Sequence, residues 1–338
     1  MKAAIAGCGS IAEVHAKCIQ SRSRDQLAAF VDCKPERAQR FAAEYGGKAY
    51  ASLEEMFEQE HIDVLHVCTP HYLHAPMSVM ALEKGVHVFQ EKPAAVSLAE
   101  YRSLVRTAET AGVSWGLCYQ NRSNANVVKA KALIESGRAG AVLGGRAVMT
   151  WHRPAEYYTG SDWRGKLATE GGGCLINQAV HTMDLLTCLL GRPVSVTASM
   201  HNRHLKGIIE VEDTVEADIV YQTESGLCHG SFYATTGYCT NSVPMIEIVC
   251  EEMTLRLEEP ELTIIYKNGA KEVLDCCQES EQLGKSYWGN GHQRCIDEFY
   301  DCLGSGKRFS MGVAETDASN RLLFAMYRSA DEKKEIML

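Results

Sequence analysis

The stretch Lys2-Ala3-Ala4-Ile5-Ala6-Gly7-Cys8-Gly9-Ser10-Ile11-Ala12 decides the fold. An apolar run too short for a helix enters two glycines separated by one residue, and a helical segment follows, about Ala12–Ser21. Gly7 allows the tight turn from strand into helix, Gly9 lets the backbone come close to a ligand, and the small Ala12 lets helix and strand pack closely. A helix N-terminus placed there offers unpaired N–H groups to an anion. Asp32 closes the next apolar run, Leu27–Val31, about 20 residues further on, where a carboxylate meets the ribose hydroxyls of a dinucleotide. A carboxylate at that point repels a 2′-phosphate, so NAD is favoured over NADP, with Lys34 close enough to weaken the preference.

Outward from this turn, strands and helices alternate to residue 118. Pro35 opens a helix that Gly46-Gly47 closes, and Ser52/Glu55 and Ser97/Glu100 are capping boxes. Asp63–Cys68, Val86–Phe89 and Val113–Leu117 read as strands apolar on both faces, and His71–Lys84 as a helix ended by Gly85. Such strands require a parallel, doubly wound sheet, which binds ligands beyond its carboxyl ends. After a helix at about Asn124–Ser136 the pattern changes. Val194–Met200, Thr214–Tyr221, Leu227–Tyr233, Met245–Val249 and Leu262–Tyr266 alternate with period two, and Asn268-Gly269 is a hairpin signal. The expected fold is therefore α/β: a Rossmann domain at 1–120, then an α+β domain at 121–338 with a large, mainly antiparallel open sheet.

Composition narrows the functional classes. The 338 residues are 46% hydrophobic and carry a formal net charge of -9, which leaves no electrostatic footprint for nucleic acid or an anionic membrane. No apolar run approaches the roughly 20 residues of a membrane span, and the apolar start is too short for a signal peptide, so a cytoplasmic protein is expected. The 14 cysteines contain no Cys-x-x-Cys pair, which gives no support for a metal site and predicts mostly buried thiols.

Three groups of residues carry chemistry. Lys92, between Glu91 and Pro93 at a strand's carboxyl end, can hydrogen-bond a substrate hydroxyl and stabilise a developing alkoxide. In Gly171-Gly172-Gly173-Cys174-Leu175-Ile176-Asn177-Gln178-Ala179-Val180-His181-Thr182-Met183-Asp184, a helix expected over Asn177–Leu190 sets Asn177, His181 and Asp184 on one face, and His181 has the reference pKa of an acid–base residue. Trp151-His152-Arg153, Tyr157-Tyr158 and Trp163-Arg164-Gly165 offer rings for sugar faces and cations for hydroxyls or carboxylates. Tyr287-Trp288-Gly289-Asn290-Gly291-His292 leads into an amphipathic helix reaching about Leu303, with His292 in a capping or core position, and Glu315–Ser329 is a final helix.

The glycine fingerprint, Cys68-Thr69-Pro70-His71-Tyr72-Leu73-His74, Glu91-Lys92-Pro93 and the Gly171–Asp184 run together resemble the Gfo/Idh/MocA family of glucose–fructose oxidoreductase, inositol dehydrogenase and rhizopine catabolism. The family patterns Thr-Pro-Asn-x-x-His and Gly-Gly-x-Leu-x-Asp-x-Gly-x-His-x-x-Asp are departed from at His71 and Asn177. The resemblance implies NAD held by Gly7, Gly9, Ser10, Ile11, Asp32, Cys68, Thr69, Pro70, His74, Glu91, Lys92 and Gln120. It implies a sugar, polyol or glycoside held by Lys92, Asn177 and His181, with Lys92 and His181 as the catalytic pair for hydride transfer at a secondary alcohol or ketone carbon, while Tyr158, Trp163 and Arg164 are expected to contact the substrate through their rings and cation. It further implies a homodimer or homotetramer. A redox-neutral NAD-dependent glycosidase and a non-catalytic NAD-sensing regulator are the rival readings.

Overall fold

The computed structural model describes residues 1–276 and 291–338. The chain divides into two compact units, Met1–Gln120 with Glu281–Thr316, and Asn121–Ser280 with Asp317–Leu338.

In the first unit β1 (Lys2–Ala6), β2 (Gln26–Val31), β3 (Lys48–Tyr50), β4 (Val64–Val67), β5 (His87–Glu91) and β6 (Trp115–Cys118) form a parallel sheet in the order β3-β2-β1-β4-β5-β6. The helices α1 (Ser10–Gln20), α2 (Pro35–Tyr45), α3 (Leu53–Gln59), α4 (His74–Glu83) and α5 (Leu98–Thr110) connect them. β4 and β6 are buried at every residue, as the unbroken apolar runs required. Both capping boxes form: Ser52 and Ser97 accept the backbone N–H groups of Glu55 and Glu100, and those glutamates reach back to Ala51 and Val96. α10 (Gly291–Ser305) packs beside α1 in this unit, which corrects the expected boundary that assigns 121–338 to the second domain. The reason is its apolar face: Cys295, Ile296 and Phe299 are fully buried, and the Phe299 ring packs tilted against Phe89 of β5, centroids 5.1 Å apart. The expected approach Tyr287–Asn290 lies outside the described residues.

The second unit contains α6 (Ala125–Glu135), β7 (Val142–Thr150), α7 (Ala155–Thr159), α8 (Leu167–Glu170) and α9 (Val180–Leu190). The strands β8 (Arg192–His201), β9 (Thr214–Thr223), β10 (Gly226–Thr235), β11 (Met245–Cys250), β12 (Met253–Glu258), β13 (Glu261–Tyr266) and β14 (Lys271–Asp275) follow, with β15 (Ile336–Met337) near the C-terminus. They make a nine-stranded sheet, β14-β13-β12-β11-β7-β10-β9-β8-β15, antiparallel except where β10 runs parallel to β7. α9 covers the middle of one face. Across the strands runs a charge ladder in which buried Glu247 bridges Arg146 and Arg256 on the neighbouring strands. The last helix, α11 (Val313–Glu332), supplies Tyr327 and Ser329 to this unit.

The helix expected over Asn177–Leu190 is corrected by the structure. Residues Cys174–Ala179 form a π-helical turn, and regular α-helix begins only at Val180. The cause is how the entry is held: Gly173 N–H and Leu175 N–H both donate to the buried carboxylate of Glu212, and Cys174 N–H donates to the Glu212 carbonyl. Backbone donors captured from outside leave the turn one residue too wide for an α-helix.

Candidate functional site

The first unit builds its site at the carboxyl ends of β1, β2, β4 and β5. Gly7 has φ +86°, and a Cβ on it would stand 2.7 Å from backbone atoms of Cys68 and Thr69, so the turn packs against the end of β4 with no room for a side chain. Gly9 is different: nothing lies within 4 Å of where its Cβ would be. Open space over the N-terminus of α1, an 11-residue helix with Gly9 as its N-cap, is what close approach of a phosphate needs. Ser10 is exposed and Ile11 partly so, beside this space. Asp32 locks the turn, accepting Cys8 N–H at 2.9 Å and Lys34 N–H at 2.8 Å. These residues fit a dinucleotide: a glycine cradle left open, a helix terminus, and a carboxylate at the end of β2.

The other expected cofactor residues divide into those at the surface and those behind it. Thr69, Pro70 and Lys92 are partly exposed, whereas Cys68, His74, Glu91 and Gln120 are buried. His74 ties the two loops together, its ring nitrogens each 2.8 Å from a carbonyl oxygen, those of Pro93 and Thr69. It therefore acts on the loops and not as a surface ligand. Glu91 ends a buried chain: His15 Nε2 is 3.1 Å from its Oε1, His15 Nδ1 is 2.9 Å from His66 Nδ1, and His66 Nε2 is 2.9 Å from the Tyr300 hydroxyl. Burial opposes the Glu91 charge, yet the His15 hydrogen bond, with the charges of His15, His292 and Lys92, holds its carboxyl well below the usual range. His292, the residue expected to cap or pack, is buried in the same unit with Nε2 3.8 Å from Glu91 Oε1, and burial pushes its pKa down to about 4.

His15, Glu91 and Cys118 also bring potential metal-ligating atoms within 4.8 Å of one another. Both ring nitrogens of His15 are already engaged, and burial first, then Cys295 and Glu91, holds the Cys118 thiol well above its usual pKa. The cluster is a hydrogen-bonded chain in this arrangement. Among the described cysteines, only Cys33 and Cys239 are exposed, and Cys8 and Cys18 are pushed up to about 12, chiefly by burial. These are packing thiols, as their spacing suggested.

In the second unit, the run from 172 to 187 is buried except at Asn177 and His181. The π turn thus still brings both side chains to the surface together. Asp184 does not share this opening: it accepts Arg122 Nε at 2.8 Å and Nη2 at 2.5 Å, a bidentate buried pair. Of the aromatic set, Trp163 and Arg164 are partly exposed, but Tyr158 is buried in an apolar cluster with Leu205, Ile209 and Val211. Its neighbour Tyr157 is the accessible ring. Arg164 lies 4.4 Å over Tyr157 and 5.0 Å from the centre of Trp163, while Arg153 lies 5.4 Å from Tyr157 on its own approach. Arg164 Nε is buried without a hydrogen-bond partner among the described residues.

Sequence reasoning missed Glu170, Glu212, Arg122, His15 and His66. Only His15 left a local trace, as a histidine between Val14 and Ala16 on the buried face of α1. Glu170 is the most consequential: it is fully buried, accepts Gly165 N–H through Oε2 and Asn177 Nδ2–H through Oε1, and burial pushes its pKa up to about 7.

An open glycine cradle on a doubly wound sheet, joined to an open-sheet unit that exposes a histidine and an amide on one helix entry, defines the class of two-unit dinucleotide-binding α/β proteins. The chain belongs to the Gfo/Idh/MocA family: the family's "Oxidoreductase family, NAD-binding Rossmann fold" matches residues 1–118 and its "GFO/IDH/MocA C-terminal domain" matches residues 127–256. The WlbA dehydrogenase of Bordetella pertussis, solved with NADH and UDP-GlcNAcA, is 30% identical with a TM-score of 0.85 and covers 100% of this chain and 98% of its own. The 1,5-anhydro-D-fructose reductase of Ensifer adhaerens is 29% identical over 63% of this chain, and the match spans 65% of that protein's own length. The inositol 2-dehydrogenase of Rhizobium meliloti is 27% identical over 69% of each chain. NAD is accordingly the cofactor of this Rossmann unit.

Proposed function

We propose that the protein is an NAD-dependent oxidoreductase acting on a secondary alcohol or ketone carbon of a sugar, polyol or sugar acid. The observation that carries this reading is the pair of openings in otherwise buried runs: Asn177 and His181 between 172 and 187, and Lys92 between buried Glu91 and Pro93. The named dehydrogenases and reductases among its relatives support it.

Gly7, Gly9, Ser10, Ile11, Asp32, Thr69, Pro70 and Lys92 would hold NAD, with Cys68, His74, Glu91 and Gln120 supporting them from behind. Bound NAD supplies the hydride acceptor or donor. His181 takes the hydroxyl proton as the alcohol is oxidised and returns it in the reverse direction, and Lys92 holds the same oxygen and offsets its developing charge. Asn177, Trp163 and Arg164 orient the substrate. Arg164, with its unpartnered Nε, suits a carboxylate or a ring hydroxyl. No helix among the described residues is long and apolar enough to cross a membrane. A cytoplasmic homodimer or homotetramer, assembled through the open sheet of the second unit, completes the proposal.

The test is NADH absorbance with NAD and NADP separately, against neutral sugars, inositols, sugar acids, nucleotide sugar acids and glycosides. A rise with one member of the panel, abolished by His181→Ala while NAD binding by fluorescence persists, is the expected result. Full turnover in that variant removes His181 from the mechanism. Glycoside cleavage without NADH accumulation, or no reaction at all, replaces the proposal by the redox-neutral or the regulatory reading.

A further inference from the structure

Glu170 ends α8 immediately before the three glycines and is fully buried. Its two carboxyl oxygens serve different masters. Oε2 accepts Gly165 N–H at 2.5 Å, at the end of the Trp163–Arg164 loop. Oε1 accepts the Asn177 amide at 2.5 Å, on the π turn. The charged and titratable groups facing it are Arg164, which favours the carboxylate, Glu212, which opposes it, and the Tyr158 hydroxyl. Burial outweighs both donors and brings the carboxyl to about 7, so acid and carboxylate coexist near neutral pH.

We propose that Glu170 is a positioning residue whose protonation decides which end of the Asn177 side-chain amide it holds, and thereby which end is turned toward the substrate. As a carboxylate it grips the NH2 group and turns the amide oxygen, an acceptor, outward. When solvent water delivers a proton to Oε1, that oxygen becomes a donor, the amide turns over to accept from it, and the NH2 group, a donor, faces outward. Oε2 keeps the Gly165 N–H in both states, so the loop stays where it is. The oxygen and nitrogen of an amide are nearly isosteric, so the half-turn needs no added room. Aspartate, the residue of the family pattern at this position, could not do this: two carboxyls this close must share one proton. Below neutrality the site therefore favours substrate groups that only accept, such as a carboxylate or carbonyl, and above neutrality it favours a donated hydroxyl.

The substrate half rests on the function proposed above; the amide half does not. Selective 15N-asparagine labelling of the substrate-free protein reads the amide directly, with Asn177 assigned from the resonance lost in Asn177→Leu. The wild type should show one side-chain step with a midpoint within about a unit of 7, absent in Glu170→Gln, which keeps the shape and cannot ionise. A resonance that is unmoved from pH 5.5 to 8.5, or that moves equally in Glu170→Gln, overturns the proposal whatever the enzyme does. For a substrate pair differing only by a carboxylate, the ratio of kcat/KM values should fall by up to roughly tenfold across the same step, the worth of one hydrogen bond. A titrating amide with a pH-independent ratio overturns the claim about the substrate. A titrating amide in a protein that turns over nothing leaves the amide half standing and overturns the proposed activity.

Discussion

Replacing His15 with phenylalanine should reverse the way pH acts on this protein's stability. In the wild type the Glu91 carboxyl is depressed, so its contribution is present above its unfolded value of about 4.5 and is lost only as pH falls toward the much lower folded value. It is constant between pH 5 and 8. Phenylalanine removes the N–H donor from Glu91 and the partner of His66 Nδ1, both buried. A charge-assisted bond is worth about 1.5–3 kcal/mol and an orphaned buried nitrogen costs about 1–3 kcal/mol, so roughly 3–6 kcal/mol goes at pH 8. His292 cannot substitute: it is 3.8 Å away and held neutral by burial. With the His15 bond and charge gone and chiefly Lys92 left to oppose burial, the Glu91 carboxyl is expected to rise above its unfolded value, the folded state binds the extra proton, and stability falls as pH rises, by about 1.4 kcal/mol for each unit of that rise. Thermal unfolding followed by circular dichroism at pH 5 and pH 8 measures both effects. Tm should drop by roughly 6–24 °C at pH 8, and by distinctly less at pH 5. His66 is held well below its usual pKa by burial first and His15 second, and the variant keeps the larger cause. His15→Gln, which keeps one donor for Glu91, should recover the flat response. An equal loss at both pH values in His15→Phe would refute the reasoning, because Glu91 would then owe its charge to something else.

The two fingerprint glycines should separate fold from cofactor. Gly7→Ala forces a side chain onto positive φ and against the backbone of Cys68 and Thr69, and should cost at least 1–2 kcal/mol by thermal unfolding. Gly9→Ala, which meets nothing, should leave Tm within a degree or two while weakening NAD at least tenfold by fluorescence titration; retained NAD affinity would remove the cradle from the cofactor site. Asp32→Ser should raise NADP relative to NAD in the ratio of Kd values, and an unchanged ratio would mean that Asp32 only locks the turn. Arg122→Leu strands Asp184 and should cost about 3–5 kcal/mol, with Arg122→Leu/Asp184→Leu recovering most of it; equal costs for single and double variants would show that the pair is not coupled.

What was legible in the sequence was local demand. Gly7 and Asp32 announce themselves because the turn and the fingerprint spacing each require a particular residue type, and the capping serines because their partners stand three residues on. β7 was not legible. Gly144 and Gly145 lie in its middle and lower any strand propensity, but a Cβ on Gly145 would stand 2.6 Å from the Glu247 carbonyl, a demand made by a strand a hundred residues away. The π turn was hidden for the same reason, since Glu212 imposes it from 37 residues beyond. Asp184 stands on the His181 face by spacing, and only the position of Arg122 takes it elsewhere. Tyr158 and Tyr157 are equivalent in composition, and packing alone decides which ring is reachable.

The three consecutive glycines show how such distant demands converge on the candidate site. Gly171 carries φ +84° where α8 ends; a Cβ on Gly172 would stand 2.0 Å from the Tyr327 hydroxyl; a Cβ on Gly173 would stand 2.0 Å from the Glu212 carbonyl. Gly171 is needed for its φ, and Gly172 and Gly173 for two neighbours that form one assembly, because Tyr327 also donates to Glu212 at 2.8 Å. Glu212 thus gathers three donors, two from the backbone ahead of Asn177 and one from α11. Glu170 holds Asn177 itself. Two buried carboxyls therefore divide the work: one fixes the backbone that carries Asn177 and His181, and the other holds a side chain on that backbone. The first must keep its donors for the π turn to exist. The second is pushed up to about 7 by burial, with the charge of Glu212 adding to the shift, so a proton exchanged at Glu170 is felt by the carboxyl that holds the backbone.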